Sequence, residues 1–446
     1  MLKKLLIAII LFPYAVQSQN YVKGTLNSDE NYSWVVLYQL KGVQQLYVKN
    51  TTIVNSEFSI DFPENSPTGI YRLLYSQQNS GFVDFMYNNE TVELKFDPKN
   101  PLETVEFITS EENKIYQEYL LKLANWLQEL DSYQITYFNL EDQIKKDSLQ
   151  LLYVELLPKY ESFQTNFEKI SEGKLANNFI KSSQKQYAPE LIETPQEFLN
   201  SEKQHYFDFI NFDDKKLLNS TFLSDRIIDY IFYLNGSDDF EVQNVLYKKA
   251  VKEVMQKITD AHLKSDLLTT LLYTFAQIEN TVLIDFLIEN FHNKLPVEIQ
   301  NKSVIKDIQE KVKLAVGKIA PEITWQENGL TQKLSELTIA ETYIVVFWST
   351  SCSHCLKEIP KLYEYTKDKI GVHVIAIALE KEEEIFNQKI VELKKWTNIL
   401  GLKKWKNQKA IDYQINATPS YFILDRDKKI IAKPNYFRDV KVFFED

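Results

Sequence analysis

The chain contains only two cysteines, and both belong to one motif, Cys352-Ser353-His354-Cys355. The motif directly follows an apolar run, residues 343–348, a pattern typical of a buried strand that leads into a helix. Two cysteines separated by two residues at the start of a helix can form and break a disulfide reversibly. The motif therefore predicts a redox-active dithiol at the end of a buried strand.

Length and charge limit the classes of function. At 446 residues with 44% hydrophobic and 13% aromatic residues, the chain is long enough for two or three packed domains. The net charge is -11, so the composition does not indicate the basic surface that binding to nucleic acid or anionic lipid requires. We therefore expect proteins or small thiols as partners, and no nucleic acid.

The first 18 residues have the pattern of a signal peptide. Lys3 and Lys4 precede an apolar run of about 12 residues, which is shorter than the roughly 20 residues of a membrane-spanning helix. Ser18 supplies a small residue for cleavage before Gln19. We expect an exported, periplasmic protein; the alternative is an uncleaved leader that anchors the chain to the membrane. An exported compartment tolerates disulfides.

The patterns that follow indicate three domains. Residues 19–105 show short alternating segments separated by turn residues, which predicts an antiparallel β-sandwich. This region is either a binding or dimerisation module or a structural appendage. Residues 106–315 show helical periodicity, which predicts an α-helical domain. In one segment Ser224 is a candidate N-cap, and one face carries Ile227, Ile228, Ile231 and Leu234.

Residues 316–446 alternate strand and helix signals and predict an α/β domain. The apolar segments 344–348 and 372–379 are suited to strands buried on both faces. A helix is predicted over residues 382–400, and residues 421–432 are predicted to form a closing hairpin. The cysteine motif would lie at the carboxyl end of the first strand, where such sheets place their chemistry.

The motif and its surroundings carry a specific resemblance. Residues 348–360 resemble the W-x-x-x-C-x-x-C-x-x-E-x-P signature of exported thioredoxin-like thiol–disulfide oxidoreductases, the TlpA/ResA-like branch of the thioredoxin superfamily. Residues 317–321 resemble the G-x-x-A-P segment of that branch, and residues 417–425 its cis-proline loop with the next strand. The resemblance covers residues 316–446 and implies a thioredoxin fold there.

The resemblance and the helix start assign roles to the matched residues. Cys352 is expected to attack, because the first turn of a helix favours its thiolate, and Cys355 is expected to resolve the mixed disulfide. A cis Pro419 would place the Thr418 backbone against an extended substrate segment. Trp348 is expected either to form a wall beside the site or to be a core residue only.

Two departures from the family pattern affect the chemistry. Val346 stands where cytosolic thioredoxins have a buried aspartate, so Glu358 is expected to take the proton of Cys355. The alternative is that Glu358 only stabilises the helix. Ser353 and His354 are expected to tune the potential, since a protonated His354 would favour the Cys352 thiolate and an oxidant. The family resemblance favours a reductant instead.

These observations predict an enzyme that exchanges thiols and disulfides and, by the resemblance, reduces protein disulfides. The dithiol itself carries the two electrons, so no cofactor is expected. Its partners would be protein disulfides and a membrane thiol electron donor. A zinc site at Cys352, His354 and Cys355 would lack a fourth ligand, so no metal is expected. The alternatives are a binding protein with an accessory redox domain and an oxidant for disulfide formation; the oligomeric state stays open.

Overall fold

The computed structural model describes residues 20–77 and 81–445. The predicted signal peptide lies outside these residues. The chain forms two compact units that divide between Leu267 and Leu268. Within the described residues, no helix is long and apolar enough to cross a membrane. The division into a β-sandwich, a helical and a thioredoxin-like domain, with boundaries at residues 105 and 315, stays a prediction.

The first unit begins with a pair of four-stranded sheets. Their strands are β1 (Tyr21–Leu26), β2 (Trp34–Lys41), β3 (Gln44–Thr52), β4 (Glu57–Asp61), β5 (Gly69–Leu74), β6 (Phe82–Tyr87), β7 (Val92–Phe96) and β8 (Glu106–Phe107), with α1 (Pro101–Thr104) before β8. The strand orders are β4-β1-β7-β8 and β3-β2-β5-β6. Every second side chain of β1 is buried, as in a sheet that places one face on a core.

One strand pair differs from the predicted antiparallel sandwich. Strands β1 and β7 run parallel, with Val22 opposite Val92 and Leu26 opposite Phe96. Parallel neighbours need a long crossover connection, and the five strands between β1 and β7 supply it. The prediction of a wholly antiparallel sandwich is therefore wrong at this pair.

Helices complete the first unit. They are α2 (Glu111–Phe138), α3 (Gln143–Ile170), α4 (Leu175–Ser182), α5 (Pro195–His205), α6 (Lys215–Leu218), α7 (Phe222–Phe232) and α8 (Phe240–Lys257). The predicted N-cap at Ser224 is wrong, because α7 begins at Phe222 and Ser224 is buried in its first turn. The predicted buried face is confirmed in part, since Ile227 and Ile231 are fully buried, whereas Ile228 is half-buried and the half-buried Leu234 lies after the end of α7.

The second unit contains helices followed by an α/β sheet. Its elements are α9 (Ala261–Gln277, which spans the unit boundary), α10 (Thr281–Asn290), α11 (Lys302–Lys311), β9 (Thr324–Glu327), β10 (Leu330–Lys333), β11 (Thr342–Trp348), α12 (Ser353–Thr366), β12 (Val372–Glu380), α13 (Glu384–Ile390), β13 (Thr397–Leu402), α14 (Gln408–Asp412), β14 (Ser420–Leu424), β15 (Ile430–Ala432) and α15 (Phe437–Glu445). Short 3-10 turns lie at His292–Lys294, Val297–Ile299, Leu334–Glu336 and Lys404–Lys406.

The five-stranded sheet has the order β13-β12-β11-β14-β15. Strand β11 lies in the centre, parallel to β12 and antiparallel to β14. Alternate residues of β11 enter two separate core clusters, with Val345 and Phe347 in one, and Val346 and Trp348 in the other. The prediction of a strand buried on both faces is confirmed, and the closing hairpin is confirmed as β14 and β15.

The helix predicted over residues 382–400 is only partly correct. Helix α13 ends at Ile390, and the chain then forms the edge strand β13. This strand pairs in parallel with β12, from Thr397 opposite Ile375 to Leu402 opposite Glu380. Pairing with a distant strand determines this segment, which a local periodicity does not reveal.

Candidate active site

Cys352 is the N-cap residue of α12, after the loop that leaves β11. Its sulfur accepts a hydrogen bond from the Cys355 amide at 3.2 Å, and its thiol donates to the Thr418 carbonyl oxygen at 3.3 Å. The side chain is half-buried. Burial alone would raise the pKa of Cys352, but hydrogen bonds to its sulfur, above all from Cys355, outweigh burial and lower this pKa. The accessible sulfur is therefore the one that favours the thiolate.

Cys355 differs from Cys352 in both access and acidity. Its side chain is fully buried, among apolar residues that include Ile359 and Leu362. This burial, followed by the contact with the Cys352 sulfur, raises the pKa of Cys355 to about 12. Both cysteines are free thiols in the structure. At the same pH, Cys355 therefore keeps its proton more readily than Cys352 does.

The loop before β14 lies against the dithiol. The Thr418–Pro419 peptide bond is cis, as the resemblance implies. The Thr418 carbonyl oxygen faces the Cys352 sulfur, and the Ser420 hydroxyl donates to the Ala417 carbonyl oxygen at 2.8 Å. Thr418 and Pro419 are both half-buried, so part of this loop is open to an incoming chain. The structure thus brings the predicted residues Cys352, Thr418 and Pro419 together.

Glu358 lies one helical turn after Cys355, so the two side chains share a face of α12. It is half-buried, and its Oε2 atom accepts two hydrogen bonds. One comes from the Tyr421 hydroxyl at 3.0 Å and the other from the Phe437 amide at 2.9 Å. These contacts hold the carboxylate in one position on the inner side of the helix, which an exposed first-turn glutamate would not need.

Tyr421 is a site residue that the sequence did not reveal. It is buried in the same apolar cluster as Cys355, and its hydroxyl donates to Glu358. Burial, then the negative charge of Glu358, and then the two cysteines raise the pKa of Tyr421. The available signal was its position two residues after Pro419, at the start of a strand next to β11.

Trp348 and Val346 lie beneath the site. Trp348 is 2% exposed and packs in the same cluster as Cys355. Within the described residues, its indole nitrogen has no hydrogen-bond partner. This placement favours the core role for Trp348 over a wall that touches substrate. Val346 is fully buried on the same face of β11, so the position that is acidic in cytosolic thioredoxins is apolar here.

Two residues outside the motif hold the loop that precedes Cys352. The buried Glu380, at the end of β12, accepts a hydrogen bond from the Thr350 amide at 2.5 Å. Lys404, after β13, donates to the Ser351 hydroxyl at 2.8 Å. Both hydrogen bonds depend on strand pairing, so neither could be predicted from the motif. The loop is therefore fixed from the side of the sheet opposite β14.

Ser353 and His354, the two residues between the cysteines, are exposed. His354 lines a cavity of about 610 Å³ beside the dithiol, together with Glu358, Thr418 and Pro419. Cys352 is not in the lining, but its sulfur contacts Thr418, which is. A polypeptide attached to a reacting sulfur therefore has room on the side of His354 and Pro419.

Comparisons with known proteins address the same part of the chain. The model of the AhpC/TSA family matches residues 316–433. The thiol-disulfide oxidoreductases ResA of Bacillus thuringiensis (strain Al Hakam) and Bacillus anthracis are each 30% identical over 133 residues. Each alignment covers 28% of this chain and 72% of the relative.

Solved structures also align with this part. A domain of a possible thiol-disulfide isomerase from Cytophaga hutchinsonii is 32% identical, with a TM-score of 0.26, over 30% of this chain and 92% of that domain. The thioredoxin domain of a thiol-disulfide oxidoreductase from Bacteroides vulgatus is 31% identical, with a TM-score of 0.25, over 29% of this chain and 98% of that domain. On its identity to ResA across most of that protein, this chain belongs to the thioredoxin-like thiol–disulfide oxidoreductases, through its C-terminal region.

Proposed function

We propose that the protein is an exported oxidoreductase that reduces protein disulfides through Cys352 and Cys355. The observation that supports this most is the difference between the two sulfurs. Cys352 is accessible, accepts a hydrogen bond from an amide and has a lowered pKa, whereas Cys355 is fully buried with a raised pKa. Attack on a substrate disulfide requires an accessible thiolate. A buried second thiol is suited to react only after the mixed disulfide has formed on the first sulfur.

The proposed exchange has two steps. The Cys352 thiolate attacks one sulfur of the substrate disulfide, the substrate S–S bond breaks, and the leaving thiolate takes a proton. Cys355 then loses its proton and attacks the Cys352 sulfur, so the mixed disulfide breaks, the intramolecular disulfide forms, and the second substrate thiolate leaves and takes a proton. The substrate leaves as a dithiol with two electrons, and the enzyme is left oxidised.

Glu358 is proposed to receive the proton of Cys355 in the second step. The buried thiol must lose this proton although its pKa is raised, so a nearby acceptor is needed. Glu358 lies one turn away on the same helix face and is held by Tyr421 and Phe437. The Tyr421 hydroxyl, which donates to Glu358 and lies in the Cys355 cluster, would position the carboxylate for the transfer.

The proposed direction and compartment are supported by the predicted leader and by the resemblance to the family. A signal peptide at residues 1–18 would deliver the protein to the periplasm. A reductant in that oxidising compartment needs continuous resupply with electrons. We therefore propose a membrane thiol donor that reduces the Cys352–Cys355 disulfide after each cycle. Ser353 and His354, exposed beside Cys352, would adjust the reduction potential.

Mixed-disulfide trapping tests the assignment of the two cysteines. Cys355→Ser should accumulate a covalent complex with a protein disulfide substrate, because Cys352 attacks and nothing resolves the product. Cys352→Ser should give neither turnover nor a complex. Non-reducing electrophoresis and mass spectrometry measure both. Equal trapping by the two variants would refute the assigned order.

A further inference from the structure

The cavity beside the dithiol has walls from two parts of the second unit. The loop residues Thr418 and Pro419 form one side. Glu279, Lys311 and Leu314, which come from the helices and the segment before the sheet, form another. The helical part of this unit thus reaches the surroundings of the reacting sulfur.

This second wall is anchored to the sheet. Leu314 is 6% exposed and belongs to the core cluster on one face of the sheet, which also contains Phe422. The Gln414 side chain, ahead of the cis-proline loop, donates to the Glu310 carbonyl oxygen at 3.2 Å. Apolar packing and a hydrogen bond therefore hold the end of α11 in place beside the loop.

An ion pair joins the wall to the opposite rim. Both carboxylate oxygens of Glu279 accept hydrogen bonds from the Lys433 ammonium, at 2.6 and 2.7 Å, and both residues line the cavity. The side chains are 41% and 30% exposed, so the pair is accessible and can open at a modest cost. It narrows the approach to the cavity from one side.

We propose that these walls select the substrate: the site accepts an extended, cysteine-containing polypeptide segment and disfavours disulfides held on a folded surface. This inference rests on the proposed function. An extended segment can pair with the Thr418 backbone as an added strand, and its flanking residues can enter a cavity whose volume is typical of binding pockets. Walls on two sides of the cavity leave less room for a rigid convex surface than for an extended chain on this approach to Cys352.

A bulky side chain in the wall tests this. Lys311 is exposed, ends α11 and lines the cavity, whereas Lys306 is exposed on the same helix and lies outside the lining. The probes are a short unstructured peptide whose cysteine is disulfide-bonded to glutathione, oxidised glutathione, and native insulin. In the full-length protein, Lys311→Trp should lower the ratio of kcat/KM for the peptide to that for glutathione by about tenfold. Lys306→Trp should leave the ratio unchanged.

Opening the ion pair gives the opposite test. Lys433→Met removes the contact with Glu279, and the ratio of insulin to peptide turnover should rise by about twofold to fivefold. Lys318→Met is the matched control, because Lys318 pairs with Asp285 at 3.5 Å outside the cavity lining, and it should not change the ratio. Unchanged ratios in both Lys311→Trp and Lys433→Met, or equal changes in both controls, would overturn the proposal.

The probes separate this inference from the proposed function. If the wild-type protein exchanges with glutathione and the peptide, but the wall variants do not change the ratios, the proposed chemistry stands. The proposed selection by the walls is then wrong. Wild-type protein that exchanges with none of the three probes contradicts the proposed function, and the inference falls with it. Alkylation of Cys352 by iodoacetamide in each variant shows whether the sulfur itself is still reactive.

Discussion

The N-terminal pair of sheets and the thioredoxin-like sheet differ in how their polar side chains are paired. In the N-terminal sheets, Arg72 and Asp84 form two hydrogen bonds of 2.7 Å, and the guanidinium lies 3.7 Å from the centre of the Phe82 ring. Each of these two charged groups therefore forms its hydrogen bonds with an oppositely charged partner. After the central strand of the thioredoxin-like sheet, the Cys352 sulfur instead accepts a hydrogen bond from the Cys355 amide, and the two thiols differ in how readily they lose a proton.

This difference in pairing distinguishes a contact that stabilises the fold from one that takes part in a reaction. Burial raises the pKa of Asp84, while the hydrogen bonds and the charge of Arg72 oppose this rise and favour the charged pair. Two sulfurs whose pKa values are pushed apart are arranged for proton and electron transfer. Glu358 and Tyr421 extend the second arrangement, since the carboxylate accepts a hydrogen bond from the Tyr421 hydroxyl, which lies in the same cluster as the buried thiol. Charge burial alone therefore does not mark the active region of this molecule.

The largest expected effect is that variants in the two regions change different properties, activity in one region and stability in the other. Cys352→Ser should reduce disulfide exchange to the uncatalysed rate, because a serine hydroxyl cannot form the mixed disulfide, while the free energy of unfolding changes little. Asp84→Ala should leave exchange unchanged and lower the free energy of unfolding by about 2 kcal/mol, since it leaves Arg72 unpaired in a half-buried position. Turnover and urea unfolding measure the two effects.

The pH dependence of alkylation sharpens the contrast within the dithiol. Because the pKa of Cys352 is lowered, its thiolate persists below the usual value of about 8.5, and the rate with iodoacetamide should fall only at lower pH. Each unit of lowering raises the thiolate fraction at pH 7 by up to about tenfold. Cys355 should stay unmodified from pH 6 to 9, since its pKa is raised and its side chain is buried. Mass spectrometry of the reduced protein distinguishes the two sites.

Cys355→Ala supplies the control for this pH profile. It removes the thiol that contributes most to lowering the pKa of Cys352, so the midpoint for Cys352 should move upward. A wild-type midpoint at or above about 8.5 would contradict the assignment of Cys352 as the activated sulfur.

The local parts of the site could be predicted from the sequence. The spacing of Cys352 and Cys355 after an apolar run locates the N-cap, because strand, turn and helix start follow one another in the chain. The cis bond before Pro419 agrees with the motif resemblance.

The remaining parts depend on contacts between distant segments. Glu380 reaches Thr350 because β12 pairs with β11, and the strand β13 forms only through its pairing with β12. Glu279 reaches Lys433 across 154 positions of the chain. No periodicity within a window of sequence encodes such contacts, so the walls of the cavity were not predictable although the motif was.

Glu358→Gln tests the proton acceptor, with a smaller expected effect. The amide keeps the size of the side chain but cannot accept the proton of Cys355, so exchange should slow by about tenfold near neutral pH and its pH profile should shift. Glu364→Gln is the matched control, because Glu364 lies on the same helix, is exposed and pairs with Lys367. Tyr421→Phe removes one hydrogen bond to Glu358 and should shift the profile less. Identical profiles for Glu358→Gln and Glu364→Gln would leave Glu358 with the structural role.

The smallest expected effect concerns the reduction potential. The superfamily runs from about -270 mV for thioredoxin to about -120 mV for the strong oxidant of the periplasm, a gap of about 7 kcal/mol. His354 is exposed, and charge effects at an exposed helix start amount to about 0.3–1 kcal/mol, or about 6–21 mV. A protonated His354 stabilises the Cys352 thiolate and hence the reduced form, which raises the potential by this amount.

That shift is too small to turn a reductant into a strong oxidant, so the potential should lie slightly above that of thioredoxin. His354→Leu should lower the potential by about 6–21 mV, because it removes the charge beside Cys352. Ser353→Ala is the control between the same two cysteines and should leave the potential unchanged. Equilibration with glutathione buffers measures all three proteins. A wild-type potential near -120 mV would contradict the proposed reductase and favour oxidative disulfide formation instead.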